Sequence, residues 1–146
     1  MLRFRNLLLT IIFTLLIVSS AGYGQVDQLL EDLQPQGYVS DFADVIAPEQ
    51  EAAMQRLLGE MDRRGRVQIA VVTLPSLQGG EIQDFSNRLF EKWGIGYAGE
   101  DRGLLFLASI EDRRIWIEVG YGLEPILTDA GAGRLLDQAV IPYFRQ

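Results

Sequence analysis

Four acidic residues sit where their surroundings could do chemistry: Asp101, Glu124, Asp129 and Asp41. The first three lie in two glycine-rich stretches, GIGYAGEDRG (94–103) and GYGLEPILTD (120–129), and Asp41 lies in YVSDFADVI (38–46). Carboxylates on glycine-containing loops suit hard cations, Ca²⁺ above all, because such loops can supply roughly six to eight oxygens from side chains and carbonyls. Paired carboxylates could also perform general acid and base hydrolysis. Each has a plainer use as well: Asp129 as a helix cap, Asp101 as a turn residue, Glu124 as a solvated loop acid. The chain has no His and no Cys, so a Ser-His-Asp triad, a cysteine nucleophile and histidine-ligated zinc are all excluded. Its one lysine, Lys92, does not follow a phosphate-cradling glycine loop, and Gly94-Ile95-Gly96 lacks the third glycine of a dinucleotide fingerprint. The alternating acids of an EF-hand calcium loop are missing too.

The loops need a scaffold, and a hairpin between them supplies it. Residues 104–110 (LLFLASI) are almost continuously apolar, which predicts a strand covered on both faces. Residues 115–119 (IWIEV) alternate, so Ile115, Ile117 and Val119 face one way and Trp116 and Glu118 the other. The link Glu111-Asp112-Arg113-Arg114 holds neither Gly nor Pro, which favours a four-residue type I connection over a two-residue primed turn. A hairpin brings the outer ends of its strands together. Glu100, Asp101, Glu124 and Asp129 should therefore converge, and Asp101, Glu124 and Asp129 form a candidate divalent-cation site with Asp41 a candidate fourth ligand. Gathered carboxylates raise one another's pKa unless a cation or an arginine neutralises them, and Arg102 is the arginine within the loop.

Around the hairpin, residues 67–74 (VQIAVVTL) predict a strand joined to the next by a helix over about 81–93, whose Ile82, Phe85, Leu89 and Trp93 form one apolar face. Two strands linked through a helix are parallel. Pro48 opens an earlier helix with Met54, Leu57, Leu58 and Met61 as its buried stripe, closed by Arg63, Arg64 and Gly65. Leu135, Leu136, Ala139, Val140 and Tyr143 define a last helix, capped by Thr128 or Asp129. Residues 38–46 read as an extended lead-in. Residues 22–37 are a short amphipathic helix or a linker; propensity alone rarely holds so short a segment, and we favour the linker. The fold class is α/β, a small mixed sheet of one parallel β-α-β unit plus an antiparallel hairpin, with helices packed on it.

The first residues carry Arg3 and Arg5, then a twelve-residue apolar run (7–18), then Ser19-Ser20-Ala21-Gly22. That order predicts a secretory signal peptide over 1–21 with cleavage after Ala21, the alternatives being a core helix or an uncleaved anchor. The run is short for a membrane span, which needs about 20 apolar residues. Export would place the protein in the periplasm or elsewhere outside the cytoplasm. With no Cys, stability there must come from packing. Removing 1–21 leaves eleven basic against twenty acidic residues, a net charge of −9. Such a surface does not hold nucleic acid or anionic lipid by charge, but it could attract cations or basic protein patches.

YVSDFADVIAPEQ, VQIAVVTLPSLQGG, FSNRLFEKWGIGYAGEDRGLLFLA and DRRIWIEVGYGLEPILTD followed by IPYF resemble a TPM domain of the YgcG-like type, over residues 37–146. The resemblance implies an α/β/α, Rossmann-like sandwich that works outside the cytoplasm and is commonly tethered to a membrane through regions beyond the folded domain. Thylakoid relatives in plants are tied to photosystem II repair and credited with acid phosphatase activity, and some members bind Ca²⁺ or other divalent ions. Asp41, Asp101, Glu124 and Asp129 match acidic positions of the family pattern. One departure is Arg102, where the family usually has Asn between Asp and Gly. The family also continues beyond Pro-Tyr-Phe into another helix, so the domain (38–146) is expected to be truncated at its C-terminal end. Without an activated nucleophile, the favoured function is a non-enzymatic module that assists a membrane-protein complex or an envelope protein. It requires no cofactor, though a divalent cation could bind. A weak acid phosphatase is the alternative.

Overall fold

A computed structural model describes residues 24–140; the apolar run and the cleavage position after Ala21 lie outside them, as does IPYF. Four strands form one sheet in the order β1 (Val39–Asp41), β2 (Gln68–Leu74), β3 (Gly103–Ser109) and β4 (Arg114–Val119). β1 and β2 are parallel, β2 and β3 are parallel, and β4 returns antiparallel to β3. The helices are α1 (24–32), α2 (Pro48–Gly65), α3 (Ile82–Trp93) and α4 (Asp129–Leu135), the last running into a π-turn over Leu136–Val140. The expected parallel unit and hairpin are both present, and helices cover both faces of the sheet.

Alternation along the strands sorts the core into two. Ala70, Val72 and Leu74 of β2 and Leu105 and Leu107 of β3 point to one face, where Leu30, Leu33, Ile82, Phe85 and Leu89 cover them and Trp116 joins. Leu104, Phe106, Ile115, Ile117 and Val119 point to the other, against Ala132 and Leu136. The hairpin therefore faces as its alternation requires. Its connection is one residue earlier than expected, Ile110 to Arg113, because Ser109 already pairs with Arg114. Arg113 takes the left-handed conformation (φ 53°) that closes it.

Three elements differ from expectation. The lead-in at 38–46 contains β1, an edge strand of three residues whose Val39 and Ser40 are fully buried. One side chain of α2 holds its start: the Gln55 amide accepts from Tyr38 N (2.8 Å), just before the strand, and donates to the outward Val39 O (3.0 Å). The segment favoured as a linker is the helix α1. Helix α3 holds it: Arg88 pairs with Asp27 at 2.6 Å, and Lys92 Nζ donates to the carbonyls of Leu30, Glu31 and Leu33 at 2.6, 2.8 and 3.2 Å. Three terminal carbonyls that a helix leaves unpaired thus gain one cationic donor. Tertiary contact outweighs the weak intrinsic propensity.

The α2 stripe is only partly covered. Helix α2 packs along β1 and β2 and buries Leu58, while Leu57 and Met61 stay 58 % and 42 % exposed. With Val67 they line an open groove of about 420 Å³. Helix α2 closes at Gly65, as expected. Arg66, not Gly65, takes the left-handed position (φ 50°), its N–H bonded to Asp62 O. Among the described residues no helix is long and apolar enough to cross a membrane.

Candidate functional site

The open end of the hairpin is where the two glycine-rich loops meet, as the topology requires. They meet backbone against backbone. Gly120 N donates to Gly103 O (2.8 Å) and Gly122 N to Asp101 O (3.1 Å). A Cβ on Gly120 would collide with the Asp101 carbonyl oxygen, one on Gly122 with that of Glu100, and one on Gly103 with that of Ile95. Gly103, Gly120 and Gly122 are glycine because backbone segments there lie closer than any side chain permits, whereas Gly99 has open space and serves its left-handed backbone (φ 83°). Gln68 at the start of β2 fastens the first loop further, its Oε1 accepting from Gly96 N at 2.7 Å. Asp101 itself is left-handed (φ 50°), which aspartate tolerates better than most residues.

Beside this junction, helix α2 offers a second clamp that the sequence did not reveal. The Asp62 carboxylate accepts from Tyr38 Oη (2.7 Å) and from Tyr97 Oη. The bond to Asp62 is the first reason both phenols are held above their ordinary pKa, with burial second. Arg66 lies 5.1 Å over the Tyr97 ring and pairs with Glu100 at 2.5 Å. The arginine that answers Glu100 in this loop is therefore Arg66, not Arg102. The only hint was a basic residue just after the glycine that ends α2. Arg102 instead lays its stem over Gly122, and its Nε is buried with no acceptor among the described residues.

Of the four sequence-predicted acids, Asp101 and Glu124 come to this end, on adjoining loops, and both are exposed. The backbone of Asp129 opens α4, capped by Thr128 Oγ1, which accepts from Gly131 N at 3.1 Å; the Asp129 side chain lies outside the described residues. Asp41 does not join them. It pairs in register with Thr73, whereas Asp101 lies just before Gly103, which pairs with Gln68. Five residue steps of β2, from Gln68 to Thr73, separate these ends, about 17 Å at strand spacing. The expectation of Asp41 as a fourth ligand fails because β1 runs parallel to β2 and ends at the far edge. Among the described residues no three acids stand together to hold a metal ion. Asp101 and Glu124 alone are too few for a calcium site.

The far edge uses its carboxylates structurally. Asp41 accepts from Thr73 Oγ1 and from Ile46 N (2.7 Å). Asp112 in the hairpin turn accepts from Leu77 N (2.7 Å) and Ser109 Oγ (2.5 Å), with Ser76 Oγ at 3.3 Å. Burial works to raise the Asp41 pKa, but the Thr73 hydroxyl and the backbone N–H groups after it outweigh burial and hold it below the usual carboxylate value. Asp112 is lowered first by the Leu77 N–H and then by the Ser109 hydroxyl. A depressed folded pKa means the unfolded chain binds more protons, so the stabilisation is full above about pH 4 and lost as pH falls through the folded values. Stability measured by urea unfolding should drop below about pH 4, and D41N/D112N should be less stable at neutral pH with a flatter acid limb. An unchanged slope would remove both residues from the acid response.

A family model described as TPM domain (TPM_phosphatase) matches residues 39–146. The chain is similar to the solution NMR structure of the N-terminal domain of a protein from P. gingivalis, at 36 % identity and a TM-score of 0.69, covering 74 % of this chain and 69 % of that one. It also shares the fold of the N-terminal domain of the cg2496 protein from Corynebacterium glutamicum, at 19 % identity and a TM-score of 0.59, covering 77 % of this chain and 70 % of that one. Among curated proteins none matches.

Proposed function

Because the chain belongs to the TPM domain family, we propose that it is a non-enzymatic interaction module, working outside the cytoplasm on a membrane-protein complex or an envelope protein. The observation that carries this reading is the hairpin's open end. Two loops locked together along their backbones display Tyr121 and Ile126 at 76 % and 74 % exposure. Large apolar groups held out on a rigid support are what a protein contact uses. The carboxylates with lowered pKa, Asp41 and Asp112, are engaged in hydrogen bonds to hydroxyls and backbone N–H groups that fasten loops. Affinity purification of the full chain from its native envelope should recover a membrane-complex partner in constant ratio. The phosphatase named in the family label is the rival reading. Turnover of an aryl phosphate by the parent that disappears in D101A/E124A, without a recovered partner, would replace the module reading with the enzymatic one.

A divalent cation, Ca²⁺ preferred, is a second part of the proposal. Asp101 and Glu124 would hold it only with Asp129 as a third carboxylate. A bound ion stabilises the folded chain by mass action, so Tm should rise with added Ca²⁺ and fall on chelation. D101A should abolish the rise, and Arg102→Asn should enlarge it by removing a competing cation from the loop. A Tm indifferent to millimolar Ca²⁺ in both the parent and R102N would eliminate the ion.

A further inference from the structure

Resting on the interaction-module reading, we infer that the hairpin's open end binds a basic, apolar segment of another protein, with Tyr121 and Ile126 as its apolar anchors and Asp101 and Glu124 as its charge partners. Both anchors lie on one short stretch of tight turns. Leu123 N bonds to Gly120 O at 2.8 Å, Ile126 N and Leu127 N both bond to Leu123 O at 2.8 Å, and Leu123 itself is buried beneath. The stretch is anchored at its root by the glycine contacts, so it meets a partner with little ordering cost. Tyr121 engages the fold through its backbone, its carbonyl accepting from Glu124 N at 3.3 Å, which leaves its ring to a partner.

The charge around the anchors decides the partner's sign. Arg66 neutralises Glu100. Asp101 and Glu124 have no ion-pair partner among the described residues. Arg102, next to Asp101, lays its stem over Gly122 with its Nε buried and forms no ion pair among the described residues, so both carboxylates stay open to a partner's cations. A segment carrying Arg or Lys next to Leu or Phe therefore satisfies both parts of the surface. An anionic lipid surface satisfies the apolar part alone and is repelled by the carboxylates.

The test uses two synthetic peptides, one with two arginines flanking a Leu-Phe pair and one with glutamates in their place. Each is titrated into the ¹⁵N-labelled full chain. The arginine peptide should shift the amides of 99–103 and 120–127 and bind at least about tenfold more tightly than the glutamate peptide. Tyr121→Ser and Ile126→Ser, both at exposed positions, should each weaken it by about tenfold with Tm unchanged. Equal affinity for the two peptides, shifts centred instead on the Leu57 and Met61 groove, or tighter binding to phosphatidylglycerol vesicles than to the arginine peptide would each overturn the assignment. An envelope partner that the parent and Y121S/I126S recover equally would also overturn it while leaving the module reading intact. Failure of the parent to recover any partner would strike the module reading instead.

Discussion

Gly122→Ala is expected to destabilise the chain by about 3 kcal/mol or more, the upper range for overpacking, because the added methyl meets backbone rather than a side chain that could turn aside. Its Cβ would collide with the Glu100 carbonyl oxygen and crowd the Arg102 stem and the Asp101 carbonyl carbon, each at 3.1 Å. Relief requires the two loops to separate, breaking the bond from Gly122 N to Asp101 O. Gly133→Ala is the matched control. That glycine lies in α4 with open space around its Cβ and no left-handed backbone, so the same methyl should be neutral or stabilise by up to about 1 kcal/mol. Urea unfolding of both variants reads the difference. A G122A chain as stable as the parent would mean that the loops part freely and that the open end is not a rigid support.

Lys92→Met is expected to cost about 2 kcal/mol, the value of a hydrogen bond from a charged donor. The apolar stem is kept and only the ammonium is lost. The carbonyls of Leu30, Glu31 and Leu33 then lose their shared donor, while Trp93 Nε1 still reaches Leu33 O at a long 3.4 Å. The loss should be local before it is global. Amide exchange across 24–33 should accelerate well ahead of exchange in β2 and β3, because Leu30 and Leu33 cover one face of the sheet without belonging to it. Equal protection of α1 in the parent and K92M would show that apolar packing alone seats the helix.

Elements whose signal lies within a dozen residues were legible from the sequence. The face of α3, the apolar run of β3 and the alternation of β4 each announced themselves, and the convergence of the two loops followed from the hairpin. What escaped depends on distant partners. Strand β1 has only three residues and no period to read, and its identity comes from Val39, Ser40 and Asp41 pairing with Val71, Val72 and Thr73. Once β1 is a parallel strand, Asp41 must lie at the far edge, so one unseen element displaced one predicted ligand. Helix α1 was ambiguous because its stabilising groups, Arg88 and Lys92, lie some sixty residues away. Arg66 was missed for the same reason, since its partner Glu100 is 34 residues distant. The Leu57 and Met61 stripe was expected inside because helical spacing shows which residues share a face, not whether that face has a neighbour.

The single amide of Gln55 on the edge of β1 also bears on how the protein behaves in a crowded compartment. An edge strand with free N–H and C=O groups is a template on which another chain can add a strand, the route to edge-to-edge aggregation. By donating to the outward Val39 O and fixing Tyr38 N just before the strand, Gln55 occupies a group that an added strand would need. A three-residue edge leaves little more to copy. Sheet growth at this side is thus opposed by the shortness of the strand and by a side chain from the protein's own helix.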